Sequence, residues 1–205
     1  MAFNGFEKKD FDTFFIDGLE SRMEAIQTRI QPKFQEIGSF LADYLATQVG
    51  NEVFVHIAKH ARRTVNPPKD TWLAIAANKR GYKKHPHFQV GLFDDHVFIW
   101  LALIYELDHK SAIAQTFINS FDELKQLPKN FVVSLDHMKK DAKSIEDLEL
   151  KDVKRFRDVK KAEFLVGLHL DRNDDRVYDG DAFLHQATST IDSLLPFYKK
   201  AVNSK

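Results

Sequence analysis

The sequence predicts an α+β protein: one sheet of about six mostly antiparallel strands with helices packed on it, in a single domain over residues 1–205. Three observations lead there. Short β-type apolar runs follow one another between Glu52 and Leu107, and the short links between them favour antiparallel neighbours. Apolar residues at spacings of three and four bracket those runs on both sides, which is helical periodicity. A regular strand–helix–strand alternation is missing, which argues against a doubly wound parallel sheet.

Taken in order, Phe11, Phe14, Phe15 and Ile16 form an apolar cluster before a first helix. Asp17 and Glu20 read as a capping box that starts it at Gly18. Leu19, Met23, Ile26 and Ile30 line one face, Pro32 is expected to break or kink it, and Phe34, Ile37, Leu41 and Leu45 resume the period up to Gly50. Val53–Lys59 alternates as a strand, Asn66-Pro67-Pro68 forces a loop, and Thr71–Ala77 is the second strand. Gly81 marks a tight turn. Phe88–Phe93 and His96–Tyr105 form a hairpin around Asp94-Asp95, and the second run is apolar on both faces, so it belongs at the centre of the sheet. A helix capped by Asp108 follows, then a short strand at Phe131–Leu135 and a charged helix from Ser144 to about Lys160. Phe164–Leu170 is the last strand. An acidic loop, Asp171–Asp181, leads to a final helix whose end Pro196 kinks.

Composition narrows the chemistry. Cysteine is absent, which excludes disulfides, thiolate catalysis and cysteine-ligated metal centres, and fits a reducing compartment. The N-terminus lacks the pattern of a secretory signal, and the longest apolar run, Val97–Tyr105, is far short of a membrane span, so a cytoplasmic protein without membrane contact is expected. Equal numbers of acidic and basic residues conceal an uneven distribution. Residues 51–93 carry a net +6, while the segments on either side carry −3 each.

Two loops and a turn hold the positive charge. The run Val55–Pro68 contains His56, Lys59, His60, Arg62 and Arg63; Asn78–Lys83 contains Lys79, Arg80 and Lys83; Pro86–Leu92 contains His87. Together with Gly18–Met23 and Gly167–Leu170, these stretches resemble the YktB-like family of uncharacterised proteins from Gram-positive bacteria, over nearly the whole chain. The resemblance implies a single-domain α+β fold with a largely antiparallel sheet. It implies no activity, and no catalytic residue transfers with it.

The functional reading therefore rests on the residues themselves. No phosphate loop, dinucleotide fingerprint, nucleophile elbow or zinc-protease motif occurs. Arginine forks suit bidentate contact with phosphate or carboxylate, and Trp72, Tyr82 and Phe88 offer stacking surfaces. The expected function is a binding protein whose anion site is drawn from His56, His60, Arg62, Arg63, Lys79, Arg80, Lys83 and His87. Its partner would be a phosphorylated small molecule or nucleic acid, and a monomer is favoured. The competing reading is an enzyme acting on an anionic small molecule, with His56 or His60 as acid–base and the cations as a clamp. The bland alternative is a solvated basic surface. No metal or cofactor is expected: on a strand His56 and His60 would sit roughly 13 Å apart, and no carboxylate accompanies His85 and His87. The acidic loop lacks calcium-loop spacing and reads as turn and helix-cap chemistry. Trp100, Phe98 and Tyr105 read as sheet core.

Overall fold

Seven strands form one antiparallel sheet in the computed structural model, which describes residues 3–204. They are β1 (Phe54–Ile57), β2 (Thr71–Ala76), β3 (His87–Leu92), β4 (His96–Leu103), β5 (Phe131–Ser134), β6 (Lys143–Ser144) and β7 (Phe164–Asp171). Their order across the sheet is β1-β2-β3-β4-β7-β5-β6. The seventh strand beyond the expected six is the two-residue β6, too short to leave an alternation pattern. β4 lies in the middle, as its two apolar faces require, and Phe93 N–H bonds the His96 carbonyl to close its hairpin with β3.

The helices are α1 (Lys8–Asp12), α2 (Leu19–Ala25), α3 (Gln31–Val49), α4 (Lys110–Asn119), α5 (Phe121–Leu124), α6 (Leu150–Asp158) and α7 (Gly180–Asn203). Pro32 does not break the helical run. One wide π turn, Ile26–Ile30, joins α2 to α3 immediately before Pro32, a local widening at the point where the proline ring and its missing N–H interrupt the regular hydrogen-bond ladder. α7 likewise continues through Pro196 to Asn203. Other starts differ from expectation. Gly18, at φ 83°, is the N-cap of α2 and has no side-chain cap, so Asp17 does not fill that role. Left-handed His109 precedes α4 instead of Asp108. Ser144 caps only a single 3₁₀ turn, and α6 begins later on a capping box between Glu149 and Asp152. In the acidic loop, Asp179 accepts from Ala182 N–H at 2.9 Å and caps α7, while Asp174 caps a 3₁₀ turn.

Alternation splits the sheet's side chains between two unlike layers. Leu73, Ile75, Phe88, Val90, Ile99, Leu101, Val166 and Leu168 share one apolar cluster with Phe34 and Leu41 of α3, Phe117 of α4, Phe156 of α6 and Phe183 and Leu194 of α7. On the opposite face Phe98, Trp100, Ala102, Leu165 and Trp72 form a smaller cluster, joined by Phe93 and Ile104 from the links. No helix contributes to that second cluster. Among the described residues no helix is long and apolar enough to cross a membrane.

Candidate functional site

The face without helices is where the polar chemistry gathers. Register sets His56, Ala74, Gln89, Trp100 and Gly167 side by side across five strands, with Trp72, Gly91, Phe98 and His169 in the next row. The two glycines let large rings lie flat. A Cβ on Gly91 would sit 1.9 Å from the Phe98 ring, and one on Gly167 would sit 2.6 Å from the Trp100 Cα. Beneath the links runs a buried hydrogen-bonded chain. Trp100 Nε1 donates to Gln89 Oε1 at 3.0 Å, and Gln89 Nε2 donates to His87 Nε2 at 3.0 Å. His87 Nδ1 in turn donates to the His85 carbonyl at 2.7 Å. This chain fixes His87 as a neutral imidazole protonated on Nδ1, and burial pushes its pKa down to about 4. Above it, Trp72 Nε1 donates to the Tyr82 hydroxyl at 3.0 Å, and the Tyr82 ring lies 4.8 Å from His87, edge to face.

The residues singled out by charge fall into three groups. His56, Arg80 and Lys83 line one open hollow of about 570 Å³, together with Tyr82, Lys84, His85 and Glu106. His56 Nε2 donates to the Asn78 carbonyl at 2.9 Å, which holds its ring at the wall. Lys79 is exposed on the same turn. Gly81 itself is not in the left-handed region. The second group, His60, Arg62 and Arg63, lies in the link between β1 and β2, which leaves the opposite end of β2 from the Gly81 turn. The Arg62 charge acts at the Tyr105 hydroxyl, and the Arg63 charge at Asp70 and His60. His60 adopts φ 49°, sets its ring edge-on to Trp72 and bonds Thr71 Oγ1 through Nε2 at 3.2 Å; burial lowers its pKa to about 4. His87 stands alone as the third group. It is fully buried below Tyr82 with both nitrogens engaged, so it supports the site and does not face a ligand.

The protein's own acids neutralise little of this charge. Of the eight cations in residues 51–93, Lys83 pairs with Glu106 at 3.3 Å and Lys84 with Asp108 at 3.7 Å. The other six, Arg62, Arg63, Lys79 and Arg80 among them, have no carboxylate within 4.0 Å among the described residues.

Three functional candidates escaped the sequence reading. Glu163, just before β7, is buried, and its carboxylate accepts from His137 N–H at 2.9 Å, His137 Nδ1 at 2.7 Å and Tyr105 N–H at 3.3 Å. These bonds orient His137 and leave its Nε2 without a protein partner among the described residues. Burial alone would lower the His137 pKa, but the Glu163 bond and charge, with Asp70 adding to them, hold it above its ordinary value. Asp70 is 2% exposed, and its Oδ2 has no hydrogen-bond partner. Burial raises its carboxyl to about 6 against the pull of His137 and Arg63. Asp136, His137 and Glu163 also have the spacing of metal ligands. The short Nδ1–carboxylate bond between two of them gives the group the geometry of an oriented histidine instead. Tyr105, expected in the core, projects past the end of β4 and is 43% exposed.

The profile of a family described as a domain of unknown function, DUF1054, matches residues 6–198. The chain belongs to this family. Its relatives carry the family designation UPF0637. The UPF0637 protein of Oceanobacillus iheyensis is 63% identical over 202 residues, covering 98% of each chain. That of Shouchella clausii is 55% identical, over all of this chain and 98% of its own length. A Listeria monocytogenes UPF0637 protein is 51% identical over 98% of this chain and its own full length. The YktB-like resemblance of the loop motifs is thus membership of the UPF0637 family across the whole fold.

Proposed function

We propose that the face of the sheet without helices binds a phosphate-bearing anionic ligand in the hollow beside the Gly81 turn. The observation that carries this reading is the composition of the hollow's rim. Arg80, Lys83 and Lys84, with His56 and His85, surround a space of a size typical for a small ligand; Lys83 pairs with Glu106 and Lys84 with Asp108, while Arg80 has no carboxylate partner among the described residues. Clustered cations repel one another, and a bound anion adds to the partial relief that the ion pairs of Lys83 and Lys84 supply and gives Arg80 a counter-charge. The test is thermal unfolding at low salt with added tripolyphosphate. The melting temperature is expected to rise with ligand by mass action, less at high salt, and the rise is expected to vanish in Arg80→Glu/Lys83→Glu. No shift at any concentration returns these residues to the role of a solvated surface.

The Glu163–His137 pair favours a second reading, an enzyme on an anionic small molecule. His137 meets the geometric demand on an acid–base residue, one nitrogen anchored and the other free, whereas His56 and His60 both spend Nε2 on the protein. Once a ligand is known, phosphorus NMR of its fate with wild type and His137→Asn decides. Turnover lost in the variant identifies an enzyme; an unchanged ligand with both leaves binding as the function.

A further inference from the structure

A second cavity adjoins the basic hollow. It holds about 280 Å³ and shares Tyr82, Lys83 and Glu106 with it as a common wall. Its other lining is of a different kind: Trp72, Gln89, Ile104, Tyr105, His137 and Met138. Tyr105 and Met138, 43% and 47% exposed, are among the few large apolar side chains the fold leaves open, and both stand at this cavity, on the wall it shares with the next hollow. The Trp72 indole is held by its bond to Tyr82, and Trp72 also meets the His137 ring edge to face at 6.3 Å. The Trp72 wall is thus set before any ligand arrives. Polar atoms remain at their margins: His137 Nε2 is free, Gln89 spends only one of its N–H bonds on His87, and the Glu106 carboxylate sits at the shared rim.

We infer that the ligand is a mononucleotide, with its phosphate in the basic hollow and its base in the adjoining aromatic cavity. This rests on the anion-binding reading above and adds the chemistry of the other end of the ligand. A flat heteroaromatic ring fills a space between indole, phenol and thioether and still finds hydrogen-bond partners along its edge, which an aliphatic group does not. Any base has a π face, so stacking makes the site tolerant of base identity. A free nucleotide is favoured over a strand because the aromatic cavity, at about 280 Å³, has room for one base; the cations do continue past it, at Lys139, Arg155 and Lys161 of the next hollow, so a strand is made an outcome of the test.

Isothermal titration of the full chain at low salt with AMP, UMP and ribose 5-phosphate tests this. Both nucleotides are expected to bind at least about tenfold tighter than ribose 5-phosphate. Tyr105→Ala and Met138→Ala, both at exposed positions, are expected to erase that preference and leave ribose 5-phosphate binding unchanged. Equal binding of all three ligands overturns the base cavity and leaves the anion hollow standing. Binding of none overturns both. A nucleotide preference that survives both substitutions places the base elsewhere and overturns the assignment. A short single-stranded RNA that binds more than tenfold tighter than AMP overturns the free nucleotide in favour of a strand.

Discussion

The two faces of this sheet are buried to the same depth by opposite means. On one, Ile99, Leu101, Val166 and Phe164 interdigitate with helices, and contact alone suffices because none of these side chains has a hydrogen bond to lose. On the other, Trp100, His87 and Gln89 are as well hidden, yet each depends on a named neighbour for its polar atoms. The first face is tolerant of shape and intolerant of charge. The second is specified atom by atom beneath a thin cover of links, an arrangement suited to presenting fixed polar groups to a ligand. Depth of burial does not separate framework from site here; the presence of polar partners does.

The comparison can be broken most forcefully on the helix face. Ile99→Asp puts an unpaired charge into the larger core and is expected to cost at least about 4 kcal/mol, or to prevent folding altogether. A denaturation midpoint close to wild type would show that this face is not the framework. Acid comes next. His87 is held neutral with a pKa of about 4, against roughly 6.5 in the unfolded chain. The unfolded chain therefore binds the proton first, and the stability from a neutral His87, complete above about 6.5, is lost as pH falls toward 4. That amounts to roughly 3 kcal/mol across the window. His60 and His169, lowered to about 4 and about 3 by burial, act in the same direction, whereas Asp70, raised to about 6, opposes them. Urea unfolding at pH 6.5 and pH 4 in wild type and His87→Gln isolates the His87 share, and an equal loss in both would remove it.

Gln89→Leu is smaller again, at about 2 kcal/mol, because it orphans the Trp100 N–H and the His87 Nε2 lone pair while keeping the volume filled. A neutral outcome would mean the second face is as indifferent to detail as the first. Least of all is Tyr105→Ala, expected within about 0.5 kcal/mol of wild type in the same assay, as suits a side chain that is 43% exposed.

Much of the framework was legible in the sequence because periodicity records it. The strands at 54–57, 71–76, 96–103 and 131–134 fall within runs that alternate or are doubly apolar, those at 87–92 and 164–171 each overstep such a run by one residue, and the central place of β4 follows from its two greasy faces. The site was legible only where charge is dense in sequence, at Arg80, Lys83 and His56. His137 and Glu163 left no trace. They meet because Ser134 pairs with Leu165 across β5 and β7, a matter of register between segments that share no motif. His87 was misplaced for a related reason: alternation gives its face but not the Tyr82 ring that covers it. One anion site was drawn from both basic links, whereas antiparallel pairing sends them to opposite ends of β2.

The position of β7 also governs how the chain can fold. It is the last strand to be synthesised, yet it lies inside the sheet between β4 and β5, so the interior of the sheet is the last part of the sheet to close. Until residues 164–171 arrive, the most apolar strand of the protein offers a bare hydrogen-bonding edge, and β5 has nothing to pair with except the two residues of β6. Leu103 must find Phe164 across a long stretch of intervening chain, a loop closure that delays the nucleus of a largely non-local sheet to roughly milliseconds or longer. A nascent or truncated chain ending before β7 therefore exposes the strand most prone to self-association, and C-terminal deletions should fail by aggregation well before they fail by loss of any ligand contact.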